Sequence, residues 1–250
     1  MKSDPRVIRS LVAKDFKLKY KQSVLGFFWG LITPLVFLLI FTTVFSHAFV
    51  SIRNYALFVL TGLIFWQFFS NATNQSIQSF IRNAGIIKTI NIPIHHFPLA
   101  AVVNEVAALL LSFIPFTILM LFFGLDPSWH FILLLPAVFL FALTTYGLGM
   151  ALGVLNIYLR DVSILWNTIA PALFYLSPIA YDDSIVPERY LPLIKSNPLY
   201  HFFGVFRDIL YANTVPSLTS WGIITGIALV AYIAGRTVLH KLDKGIISNL

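Results

Sequence analysis

YALFVLTGLIFWQFFSNATNQSIQSF, residues 55–80, decides the fold. It lies in a stretch, 54–81, without a single Asp, Glu, Lys or Arg. A helix needs about 20 mainly apolar residues to cross a bilayer, and this run supplies them. An unpaired strand in lipid would strand its backbone groups, so the state is helical. The run is also asymmetric. Asn71, Asn74 or Gln75, and Gln78 recur on one helical face. Such a face suits a water-filled path or a subunit interface, and equally an interhelical hydrogen-bonded seam.

Five further stretches share this freedom from charge: 22–52, 106–125, 127–159, 162–181 and 209–235. Together they predict six spans near 24–46, 55–80, 99–123, 130–158, 163–181 and 218–239. The first is too long, and lacks a small-residue cleavage site, for a secretory signal. Of the 250 residues, 58% are hydrophobic and 11% charged. Soluble domains carry roughly 25% charged residues, so lipid must solvate much of the surface. The expected architecture is one all-α membrane domain over 1–250, with no second catalytic domain.

Lys and Arg orient the spans. With both termini inside, thirteen of the 17 fall on the inner side and four, Arg53, Arg189, Lys195 and Arg207, on the outer. The expectation is a multi-pass protein of a bacterial cytoplasmic membrane. Its net charge of +7 then needs no nucleic acid to explain it.

Three segments do not span. Residues 5–21 read as an amphipathic interfacial helix, with Arg6, Lys14, Lys17 and Lys21 on one face and Val7, Ile8, Leu11, Val12, Phe16 and Leu18 on the other. It is either an anchor on an anionic leaflet or a docking element. Residues 82–98 form a short basic inner loop, with Ile86, Ile87, Ile90 and Ile92 exposed to the cytoplasm beside charges, which suits a protein contact or the headgroup layer. Residues 182–217 are outside. Within them 197–213 is apolar but too short to cross, as in a re-entrant or interfacial helical hairpin.

Glu105 is the one acidic residue well inside a span, a functional candidate by default and equally a structural hydrogen-bonding group. Gly149 to Gly153 and Gly222 to Gly226 fit the small-residue spacing for close helix packing. Pro34, Pro115, Pro136 and Pro171 are candidate kinks. With no Cys there is no disulfide or thiolate site, and the six His do not cluster as metal ligands. No phosphate loop, H-E-x-x-H or G-x-S-x-G motif occurs, so the chain is not its own P-loop ATPase.

Four stretches carry a family resemblance: DFKLKYKQSVLGFFWGLITPL (15–35), IIKTINIPIHHFPL (86–99), LNIYLRDVSILWNTIAPALFYLSPIAY (155–181) and NPLYHFFGVFRDILY (197–211). The whole chain resembles the membrane subunit of type-2 ABC exporters, in the polysaccharide and teichoic-acid branch. The resemblance implies a homodimer and two copies of a separate ATPase subunit holding ATP and Mg, with no cofactor in this chain. It implies a path between protomers for a lipid-linked glycan such as O-antigen, teichoic acid or capsule, with the segment 182–213 shaping its exit.

On polarity and position the path residues are Phe28, Trp29, Phe65, Trp66, Phe69, Asn71, Asn74, Gln78, Glu105, Trp166, Tyr175 and Tyr181. The ATPase contact is placed on Arg82, Ile86, Ile87, Lys88, Ile90, Asn91, Lys14 and Lys17. Three other readings compete: a type-2 exporter of a drug or small lipid, a membrane-embedded transferase on lipid-linked sugars, and an ion-coupled secondary transporter. The transferase would need convergent acids, whereas Glu105, Arg160, Asp161, Asp182 and Asp183 are dispersed. The secondary transporter would need inverted repeats and several buried ionisable groups.

Overall fold

The computed structural model describes residues 5–20, 28–47, 49, 52–90, 92–124 and 128–250. Among these there is no strand. The α-helices are α1 (Pro5–Tyr20), α2 (Trp29–Phe45), α3 (Tyr55–Arg82), α4 (Ala84–Thr89), α5 (His96–Phe122), α6 (Leu134–Tyr158), α7 (Asp161–Leu176), α8 (Leu191–Lys195), α9 (Pro198–Leu210) and α10 (Leu218–Asn249). A 3-10 turn, Trp129–Leu133, leads into α6.

Among the described residues four helices are long and apolar enough to cross a membrane: α3, α5, α10, and α6 taken with its leading turn. The sequence predicts six spans. The differences lie at α2, with 17 residues, and α7, with 16. At 1.5 Å per residue these are about 25 Å long, short of a hydrocarbon core of about 30 Å. Residues 24–27 of the first predicted span lie outside the described residues. α10 differs in the other direction and runs ten residues past the expected end at 239.

α3 is the central helix. It packs against α5, α6, α2, α7 and α9, and its apolar residues from Leu57 to Phe69 are mostly buried. Thr61 and Thr73 are buried there too, and each donates its hydroxyl to the carbonyl four residues back, 2.8 and 2.7 Å away. That is how a hydroxyl is satisfied without water.

The closest backbone approach is between α6 and α10. A Cβ added at Gly147 would overlap the Ala231 carbonyl, and one at Gly235 would overlap the Gly147 carbonyl. Neither belongs to the glycine pairs singled out from sequence. Gly149 and Gly153 do pack tightly, against Ser76 and Phe80 of α3. Gly222 and Gly226 face open space, so that spacing does not join helices within the chain. Pro34, Pro115 and Pro171 lie inside helices, while Pro136 sits in the first turn of α6, where its missing N–H costs little.

The corner between α6 and α7 is built by its own sequence. Buried Asn156 accepts from the Ser163 amide at 3.1 Å and so caps the entry to α7. Tyr158 donates to the Leu242 carbonyl of α10 at 2.7 Å. The segment after α7 is short turns and helices. Asn197 caps α9 by accepting from the Leu199 amide, and Pro198 occupies the first helical position. Phe202, Phe203, Val205, Phe206, Ile209 and Leu210 are the buried face of α9.

Candidate substrate cavity and inner groove

A cavity of about 600 Å³ opens on the flank of the bundle beside α3. Its polar wall comes from the face noted in the sequence. Asn71 is exposed and Asn74 half-buried, while the opposite residues Ala72, Thr73, Ser76 and Ile77 are buried. Gln67, Ser70, Asn71 and Asn74 line it from α3, Glu105 and Ser112 from α5, and Asn167 from α7. Its aromatic wall is Trp29, Phe37 and Phe41 of α2, Trp66 and Phe68 of α3, and Phe174 and Tyr175 of α7. Amide groups facing aromatic planes can hold a hydroxyl-rich ligand by hydrogen bonds on one side and by stacking on the other.

Glu105 is 2% exposed, and the Gln75 side-chain amide donates to its Oε1. The carboxylate therefore reaches the cavity held by a neighbouring helix. A hydrogen-bonded carboxylate can persist where a bare one would be too costly.

The structure gathers Trp29, Trp66, Asn71, Asn74, Glu105 and Tyr175 around this space. It places the other path candidates elsewhere. Phe65 lies flat on Phe206, centroids 3.5 Å apart, inside the core. Phe69 and Trp166 are buried against each other, edge to face at 5.9 Å. Rings that large minimise exposure by packing on other rings. Phe28 and Gln78 are exposed outside the lining, and Tyr181 is half-buried, donating to the Tyr175 carbonyl at 2.9 Å. Gln67 and Asn167 line the cavity but escaped the sequence reading. They sit singly in apolar surroundings, four residues before Asn71 in one case, and that spacing was the available signal.

Of the inner-contact residues, Lys14 donates to Asn83, and Asp15 pairs with Arg82 at 3.6 Å. These bonds tie α1 to the start of the loop 82–98. Lys17 and Lys88 are exposed. The expectation that four isoleucines face water is corrected: Ile87 is buried in the core, Ile86 and Ile92 are half-buried, and Ile90 alone is exposed. The short helix α4 points Ile87 inward. Asn91 lies outside the described residues. A second hollow, about 760 Å³, separates this loop from the last turns of α10.

At the opposite end of the bundle, Arg207 is half-buried on α9. Its guanidinium donates to the carbonyls of Pro178 and Ile179 and lies 3.8 Å from the centre of the Phe58 ring. Tyr200 donates to Asp183 at 2.7 Å. Burial first, and then the bond and the charge of Asp183, push its hydroxyl up to about 12.

The family model described as ABC-2 type transporter matches residues 6–211. The chain is 32% identical over 232 residues to an O-antigen export system permease protein RfbA of Klebsiella pneumoniae, covering 92% of this chain and 89% of that one. It is 25% identical to the RfbA permease of Myxococcus xanthus, over 93% and 90% of the two chains. It is also 25% identical to the capsule polysaccharide export inner-membrane protein BexB of Haemophilus influenzae, over 96% and 92%. A cavity walled by amides and aromatics, on a bundle of apolar helices with no nucleotide loop of its own, is thus met by a family match over most of its length: the chain belongs to the ABC-2 type transporter membrane family.

Proposed function

We propose that the chain is the membrane-spanning permease of an ATP-driven exporter that moves a lipid-linked polysaccharide outward across the cytoplasmic membrane. The observation that carries this is the cavity beside α3. Its paired amide and aromatic walls match the hydroxyl edges and apolar faces of sugar rings, and the relatives are named for O-antigen and capsule export.

In this reading two copies face each other across their cavities, and two ATPase subunits dock inside against the loop 82–98. α2 and α7 complete six spans, and both termini are cytoplasmic, as the distribution of Lys and Arg favours. α9 is re-entrant. Phe65, its stacking partner through Phe206, lies about 15 Å along α3 from Tyr55, so α9 reaches well into the bundle. The chain does no chemistry on its cargo. ATP and Mg bind the partner, whose closure rocks the helices through α1 and the loop.

The test is genetic. A strain without this chain accumulates lipid-linked polysaccharide inside and loses it from the surface. Restoring the chain reverses both, and a variant with Asn71 and Asn74 changed to leucine does not. Unchanged surface polysaccharide in the deleted strain would rule the reading out.

A further inference from the structure

The hollow between the loop 82–98 and the end of α10 is unused by the path. Its position along α10 follows from helix geometry. Arg236 stands about 27 Å along the axis from Leu218, near the far edge of a hydrocarbon core of about 30 Å. Arg236, His240 and Lys244 recur every four residues, so they form one face. All three line the hollow. Lys88 and His95 line it from the loop. His95 is held below its usual range by burial first and then by His96 and Arg236.

Leu239, buried, and Ile92, half-buried, supply apolar lining. Lys88, Arg236 and Lys244 make no ion pair or side-chain hydrogen bond among the described residues, and Asp243 is the one acid in the lining. Several cations, an apolar floor and headgroup depth together describe a pocket for a phosphate-bearing lipid rather than for a free anion.

We propose that this groove binds the headgroup of an anionic phospholipid from the inner leaflet, with Arg236 and Lys244 on the phosphate and the acyl chain leaving past Leu239. The site rests on the inner placement of the loop given above. The bound lipid would join α10 to the loop and so stiffen the element against which an ATPase pushes.

The experiment compares chains purified in mild detergent with their co-purifying proteins, after equilibration with phosphatidylglycerol. Retained lipid is counted by native mass spectrometry. The double variant R236Q/K244Q should hold the lipid about thirtyfold more weakly, the loss expected for two cations at an anionic surface. The charge-conserving R236K/K244R should retain it and thereby report on folding. K241Q removes one charge from the same helix outside the groove and should behave as wild type. A wash with inorganic phosphate should not strip the lipid.

Equal retention by wild type and R236Q/K244Q, or equal loss in K241Q, would overturn the site. So would displacement by inorganic phosphate. If the double variant kept its lipid but lost its ATPase subunit, the groove would belong to the protein partner. Loss of any ATPase from every sample, wild type included, would instead count against the exporter reading.

Discussion

Glu105 shows how one charged residue is kept in an apolar helix. Gln75 on α3 donates to it, so the pair crosses between two helices beside the cavity. The change E105Q leaves an acceptor for that amide. E105L leaves it unpartnered and should cost about 1–3 kcal/mol, read as a fall in thermal unfolding temperature in detergent larger than that of E105Q. Equal stability of E105L and wild type would remove the structural role.

Tyr200 offers a pH test at the start of α9. Its raised value means that the folded state favours the neutral phenol. Its contribution to stability is therefore complete below the ordinary value of 10.0 and is lost as pH climbs through about 12. The difference in tyrosinate absorbance between wild type and Y200F should show a group ionising near the upper limit. A difference curve centred on 10 would contradict the burial of the hydroxyl and its contact with Asp183.

The polar stripe and the buried acid were legible in sequence, because lipid penalises such groups and they stand out from their surroundings. Phe65, Phe69 and Trp166 were not separable from Trp66 or Tyr175. Aromatic residues serve cores, belts and ligand walls alike, and only packing tells which.

At the scale of elements, α6 and α10 meet on glycine. G147L would push the helices apart at the Ala231 carbonyl and should prevent recovery of folded protein, whereas G222L faces open space and should be recovered near wild-type levels. Recovery of both would show that the close approach is dispensable. The spacing motif missed Gly147 and Gly235 because the decisive pair lies on two helices, a relation that a single-helix pattern cannot contain.

The inner loop is the element expected to take the push of the partner. Asp15, Arg82, Lys14 and Asn83 join α1 to it. Deleting residues 82–98 outright tests the contact but risks the turn into α5. Reversing charge at Lys88 alone is gentler, since it is exposed on α4. K88E should lower recovery of the ATPase subunit while leaving the chain in the membrane. Undiminished recovery would move the contact elsewhere.

For the whole molecule, composition settled the solvent. So little charge in so apolar a chain leaves no soluble alternative, and the four long helices follow from their uninterrupted apolar runs. The short helices α2 and α7 were less legible. A gap between charges measures the distance between polar residues, whereas a helix also stops at caps and turns. α7 ends at Leu176, where Ser177 leaves helical conformation, although the gap continues to Tyr181. The arrangement of α9 was visible only as an amphipathic stretch too short to span. Its seat against Phe65 needed the third dimension.

The central claim is that this chain works as half of an ATP-driven machine. The most direct measurement is purification of the tagged chain from its native membranes in mild detergent, with identification and counting of the soluble protein that accompanies it. A P-loop ATPase recovered in equal amount, with ATP hydrolysis in the preparation, is the predicted result. A chain that comes alone under several detergents, with no associated hydrolysis, would contradict the account.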